Sequence, residues 1–213
     1  MAARRRVVYV LLGLPLLLIL IHTIIRIVRA FYKFPMPQFM ANLIDNPIRR
    51  RIQPPEQTAI RHGIEPGMIV LEVGPGNGTY TIATARRVGG GGRVTAIDIE
   101  PRMVERVRRR AEDEAIRNIE ARVADVFALP FAEGSFDLVY MIAVIGEIPR
   151  PERAMREFHR VLSPAGTLVF SEFLWDPDYP WARTLVRKAT SAGFRLKGKI
   201  GNIFYYTLIL EKV

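Results

Sequence analysis

Met68–Val73 (MIVLEV) is a short, β-branched-rich run that breaks directly into Gly74-Pro75-Gly76-Asn77-Gly78, and Thr79–Val88 then reads as a helix. A strand that ends in a glycine loop and opens a helix lets a ligand approach the backbone. The same alternation continues down the chain. A second strand, Arg93–Ile99, follows four glycines, and Pro101 opens a helix with Met103, Val104, Val107 and Ala111 on one face. The third strand is expected over Ile119–Val126 and the fourth over Phe136–Ile142. Pro151 opens a helix to Leu162, Ser163-Pro164-Ala165-Gly166 stops it, and Thr167–Phe173 is the fifth strand. Such alternation predicts an α/β fold with a parallel sheet and helices on both faces. The tail departs from it. After a helix over Trp181–Ala192, the strands Phe194–Gly201 and Phe204–Val213 are too close for a crossover and must form an antiparallel hairpin.

Chain length and composition narrow the function. The 213 residues suffice for one domain and an appendage, and the absence of cysteine excludes disulfides, thiolate metal sites and a cysteine nucleophile. His22, His62 and His159 share no ligand spacing, so no metal site is expected. The net charge of +10 is unevenly placed: residues 1–53 carry nine basic residues against Asp45 alone, whereas residues 54–213 carry 22 basic and 20 acidic. The body is nearly balanced, which argues against a nucleic-acid partner.

The appendage holds a long apolar run. From Val7 to Ile21 there is no charged side chain, and only His22 and Thr23 interrupt the continuation to Ile25. About 20 apolar residues span a bilayer core, so residues 1–29 are expected to form a transmembrane or membrane-inserted helix. Arg4, Arg5 and Arg6 flank it on one side, and Arg26, Arg29 and Lys33 on the other. Bulky and charged residues after the run leave no signal-peptide cleavage site. Residues 30–53, with Phe31, Tyr32, Phe34, Met36, Phe39, Met40, Leu43 and Ile44 before Arg49-Arg50-Arg51, read either as an amphipathic, basic interfacial segment or as a helix packed on the domain. The third region is the body, 54–213.

The carboxylates around the glycine loop describe its ligand. Glu72 would repel a pyrophosphate and suits an ammonium or sulfonium charge. Thr79 stands where the dinucleotide fingerprint needs its last glycine, and no Gly-Lys-Ser/Thr is present. Asp98 ends the second strand, 20 residues past Gly78, where an acidic side chain takes ribose hydroxyls, and Asp125 ends the third, placed for an adenine amino group. Three carboxylates at successive strand ends fit a cationic nucleoside.

These residues carry a resemblance. The stretches Val70–Gly78, Ala96–Met103, Ala124–Phe131, Ser135–Tyr140 and Arg160–Gly166 resemble, in order, the class I S-adenosylmethionine-dependent methyltransferases, and within them the ubiquinone/menaquinone-biosynthesis type. The resemblance implies a Rossmann-like, doubly wound, seven-stranded sheet, mostly parallel with a C-terminal antiparallel hairpin. It implies S-adenosyl-L-methionine as cofactor, with Glu72, Gly74, Gly76 and Gly78 around the methionine moiety and Asp98 on the ribose. Ile99 and Met103 would lie against the adenine, and Asp125 and Val126 at its amino edge. Where many relatives carry a histidine pair after the fourth strand, this chain has Gly146-Glu147.

On the acceptor side, Glu147 and Tyr140 are the candidate catalytic residues. Phe173–Trp181, with two carboxylates among aromatics, reads as either an ammonium cage or hydrophobic cover. The expectation is a membrane-anchored methyltransferase with a lipid acceptor, an amine phospholipid headgroup or an isoprenoid quinone, and its catalytic domain facing the cytoplasm. The alternatives are a soluble small molecule or protein as acceptor, with the helix only an address, or a catalytically silent cofactor-binding protein.

Overall fold

The structure, a computed structural model, describes residues 16, 17, 19–29, 31, 32 and 47–213. Two short helices, α1 (Pro47–Ile52) and α2 (Pro55–Arg61), precede β1 (Ile69–Val73), α3 (Thr79–Val88), β2 (Arg93–Asp98), α4 (Pro101–Asp113), β3 (Ile119–Val123) and β4 (Phe136–Ile142). Then follow α5 (Pro151–Val161), β5 (Leu162–Phe173), α6 (Ala182–Thr190), β6 (Phe194–Gly201) and β7 (Tyr205–Lys212). The seven strands form one sheet in the order β3-β2-β1-β4-β5-β7-β6, parallel through β5, with β7 antiparallel to both β5 and β6. The fold is the α/β architecture expected.

Burial on both faces of the sheet explains the near-continuous apolar strands. In β4, Leu138 and Tyr140 join Val70 and Val169 under α2 and α3, while Val139 and Met141 join Leu168 and Phe170 under α5 and α6. The strand order reverses between β1 and β4, so the loops after these two strands face each other at the carboxyl end, where open α/β sheets bind ligands.

Two boundaries differ from expectation. β3 stops at Val123, which leaves Asp125 and Val126 in the following loop, where Asp125 Oδ1 accepts from the Phe127 N–H at 2.8 Å. β5 begins at Leu162, directly after α5, and Ser163–Gly166 is taken up as a register irregularity: Phe136 pairs with Leu162 and Leu138 with Thr167. A side chain at 166 would meet Leu162 and the Ser163 carbonyl, so the bulge closes only around glycine.

The segment read as a membrane helix lies partly outside the described residues, which begin at 16 and omit 18. Among the described residues no helix is long and apolar enough to cross a membrane. What is described of 16–31 is largely helical. Of the proposed interfacial collar, residues 30 and 33–46 lie outside the described residues.

Candidate active site

The glycine loop is held from three sides. Gly74, at φ +68°, gives its N–H to the Ile97 carbonyl at 2.9 Å, and a Cβ on it would lie 2.5 Å from Val144 Cγ2, so the loops after β1 and β4 touch. Gly78, at φ +75°, starts α3 without a side-chain cap. From α4, Arg106 donates to Asn77 Oδ1 at 3.0 Å, and Arg110 to the Asn77 carbonyl and Thr79 Oγ1 at 3.1 and 2.6 Å. Arg50 reaches Thr79 Oγ1 at 3.3 Å from the other side, and Arg49 stacks over Tyr80. Both arginines therefore face the domain, which favours the packed reading of this run. Over Gly76 there is open space.

Glu72 and Tyr140 are register partners on β1 and β4, and both are buried. Glu72 Oε2 has no hydrogen-bond partner. Burial pushes its carboxyl up to about 7, with the Thr81 and Tyr140 hydroxyls opposing the shift. Tyr140 also meets Thr84 Oγ1 at 3.0 Å, and the His62 ring packs on it with centroids 5.1 Å apart. Tyr140 is thus wholly buried, in register with Glu72 and hydrogen-bonded to Thr84. His62 is structural: burial drops it to about 3, so it is neutral, with Nε2 on Ser171 Oγ at 2.8 Å.

The nucleoside side is assembled by strand pairing. Asp98 ends β2 with Oδ1 on the Glu100 N–H at 2.9 Å, and its backbone carbonyl accepts from the Ala124 N–H at 3.1 Å, which brings the Asp125 loop alongside. Burial holds the Asp98 carboxyl above its ordinary range. Ile99 is exposed beside them, Met103 is buried in the first turn of α4, and Val126 is half-buried against the core. The structure thus gathers Glu72, the glycine loop, Asp98, Ile99, Met103, Asp125 and Val126 at the carboxyl ends of three adjacent strands. An orphaned buried carboxylate oxygen and a glycine with room above it fit a ligand bearing positive charge and close to the backbone.

Beyond β4 lies a second group, mostly absent from the sequence reading. Glu172, at the end of β5, is fully buried, and its Oε1 has no hydrogen-bond partner. Burial drives it well above the usual carboxylate range; Asp176 adds to this, Arg49 opposes it, and Glu147 and Asp178 add further. Burial also raises Asp176 to about 6. Asp178 pairs with Arg29, whose guanidinium lies 3.7 Å from Glu147. Arg26 donates to the carbonyls of Leu174, Asp176 and Tyr179 at 3.2 to 3.5 Å. Arg26 and Arg29, read as flanks of a membrane helix, therefore bind the loop after β5. Asp178 is taken by arginine and Trp175 and Trp181 are exposed, so Phe173–Trp181 is a docking loop. A Cβ on Gly146 would lie 2.0 Å from the Asp178 carbonyl oxygen, so a histidine does not fit there without displacing that backbone. Glu172 sits in a run that resembles an ordinary core strand; its one signal was a carboxylate in a largely apolar strand.

Comparison with known proteins agrees with this geometry. Residues 71–170 match the family described as Methyltransferase domain. The chain is 38% identical over 112 residues to the ubiquinone/menaquinone biosynthesis C-methyltransferase UbiE of Hydrogenovibrio crunogenus, covering 52% of this chain and 44% of that protein. It is 30% identical over 115 residues to an arsenite methyltransferase of Halobacterium salinarum, covering 54% and 29%. The chain spans less than two thirds of the length of these relatives. A crystal structure described as a SAM-dependent methyltransferase from Aquifex aeolicus superposes with a TM-score of 0.79 at 21% identity, covering 84% of this chain and all of that one, which establishes the shared fold. Residues 71–170 thus match a methyltransferase domain, and that match together with the shared fold implies S-adenosylmethionine as the cofactor.

Proposed function

We propose that this enzyme is anchored in a membrane and methylates a lipid acceptor, with an isoprenoid quinone favoured over an amine phospholipid headgroup. The observation that carries the reading is the orientation of the N-terminal helix. His22, Arg26 and Arg29, spaced along one stripe, are the less exposed positions of 19–29. Leu20, Ile21, Ile24, Ile25, Ile27 and Val28 all point outward. A helix on a water-soluble protein turns its apolar side to the core; this one turns its polar stripe to the core, the arrangement that suits a surrounding of lipid. The run continues in sequence back to Val7. The domain would face the cytoplasm, where the cofactor is made.

Glu72, the glycine loop, Asp98 and Asp125 would hold the cofactor, which when bound supplies an electrophilic methyl group on a sulfonium. The protein then has mainly to position the acceptor in line and remove its proton if it carries one. Glu172 is the group with that capacity: a buried carboxylate with an unsatisfied oxygen, at the carboxyl end of the strand next to β4, takes a proton readily once charged. Glu147, half-buried and held near Arg29, orients the acceptor. Engagement of Asp178 by Arg29 leaves no open acidic cage for an ammonium headgroup, which, with the UbiE likeness, favours the quinone class.

The test is incubation of the detergent-purified full chain with methyl-labelled S-adenosylmethionine and a total lipid extract, followed by phase separation. Label is expected in the organic phase and absent with Asp98→Ala. Label only in the aqueous phase, with cofactor binding intact, would overturn the lipid acceptor.

A further inference from the structure

The chain has two tryptophans, and both lie near the tip of the β6–β7 hairpin. Trp175, Trp181, Ile203 and Phe204 are each more than half exposed. Hydrogen bonds and ring packing tie their framework together. The Leu174 N–H donates to the Phe204 carbonyl at 2.9 Å, the Tyr179 hydroxyl to the Ile203 carbonyl at 2.7 Å, and Tyr179 packs edge-on against Trp181 with centroids 5.7 Å apart. Asn202 Oδ1 closes the turn on the N–H groups of Phe204 and Tyr205, and Gly201, at φ +94°, lies where a Cβ would strike the Tyr205 carbonyl oxygen. Such ordering displays large apolar side chains in water, which core packing does not require. Trp175 also meets the His22 ring, centroids 5.9 Å apart, so the patch adjoins the N-terminal helix beside its polar stripe, next to the helix's exposed apolar side chains. Lys199 is exposed on the edge strand β6 near the same tip, and Lys197 is exposed two residues farther back.

The geometry points to a second membrane contact: the hairpin tip and both tryptophans lodge at the headgroup level of the bilayer that holds the helix, with Lys197 and Lys199 on anionic headgroups. This rests on the lipid-anchored reading above. Tryptophan favours the membrane–water boundary, where its ring is buried and its N–H stays wet, and lysines beside it gain from the negative surface potential. Continuity with the apolar helix and the sign of the flanking charge select a lipid surface over another protein. Two contacts, helix and hairpin, fix the domain's tilt. They press the 174–179 loop, which covers Glu172, against the lipid, so that a hydrophobic acceptor enters sideways without crossing water.

The tryptophans report on the proposal directly. The full chain is reconstituted into vesicles of phosphatidylcholine and phosphatidylglycerol, with and without brominated acyl chains, and co-sedimentation and tryptophan emission are read together. Blue-shifted emission, protection from acrylamide and loss of most intensity in brominated vesicles are expected. Trp175→Phe and Trp181→Phe should each keep part of the quenching, and Ile203→Ser with Phe204→Ser should lessen it while co-sedimentation persists. Co-sedimentation with emission that stays red and open to acrylamide overturns the hairpin contact and leaves the anchor standing. Failure to co-sediment overturns both. Blue-shifted, acrylamide-protected emission in lipid-free detergent, with a dimer in sedimentation velocity, overturns the lipid contact and assigns the patch to a second copy of the chain.

Discussion

Arg29, on the N-terminal helix, and Asp178, on the loop after β5, form an ion pair in which both side chains are buried, 4% and 2% exposed. The pair joins residues 149 positions apart and couples the helix to the loop after β5. Removing one member of a buried pair leaves the other charge in a poor solvent, at about 3–5 kcal/mol. Arg29→Ala should therefore lower the thermal midpoint of the detergent-solubilised protein sharply, and Arg29→Ala with Asp178→Ala should lower it by less than the sum of the single changes. A double-mutant cycle without coupling would mean that the pair does not join the helix to the domain.

Gly146 gives a sharper steric prediction. Its missing Cβ would lie 2.0 Å from a backbone oxygen of Asp178, whereas around Gly90 nothing lies within 4 Å. Gly146→Ala should destabilise by roughly 2–3 kcal/mol through backbone displacement and Gly90→Ala by under about 0.5 kcal/mol, both read by urea unfolding. Equal effects would place the two loops farther apart than described.

Glu72 carries a pH signature. Its carboxyl rises from 4.5 to about 7 on folding without ligand. Between these values the folded protein holds a proton that the unfolded chain has released, so stability falls as pH rises from about 4.5 to 7 and then levels off. The full effect is at most about 3 kcal/mol, and Glu72→Gln should flatten it. A cationic ligand favours the carboxylate, so cofactor binding should release a proton near pH 6.5 and tighten toward pH 8. Calorimetry in buffers of different ionisation enthalpy reads that proton; no release would show that Glu72 does not sense the cofactor's charge.

Glu172→Gln tests proton removal apart from binding. The amide keeps the shape, so the fold and cofactor affinity should hold while kcat falls by about 10²–10⁴. A kcat unchanged across the pH profile would reduce Glu172 to a packing role.

Much of this protein was legible before any coordinates. Local chemistry wrote the strand–loop–helix unit at Val73–Thr79, the proline starts of α4 and α5, and the hairpin that closes the sheet, because each depends on residues near in sequence. The positions of Asp98 and Asp125 were legible for the same reason: each stands at or just past the end of its own strand. The Ser163–Gly166 bulge was missed because a helix-stop signal and a strand irregularity use the same small residues, and pairing with β4 settles which one forms.

The acceptor side was not legible, because it is made of contacts between distant segments. Arg26 and Arg29 looked like lipid-facing flanks, since charge next to an apolar run has that meaning in one dimension; packing against carbonyls and carboxylates some 150 residues away gave them another. Tyr140 was a candidate beside Glu147, and only strand pairing shows it buried in register with Glu72. Glu172 gained its raised affinity for a proton from burial under segments that no local pattern connects to it. Side-chain identity is a local property, whereas the dielectric and the partner a side chain meets belong to the assembled chain.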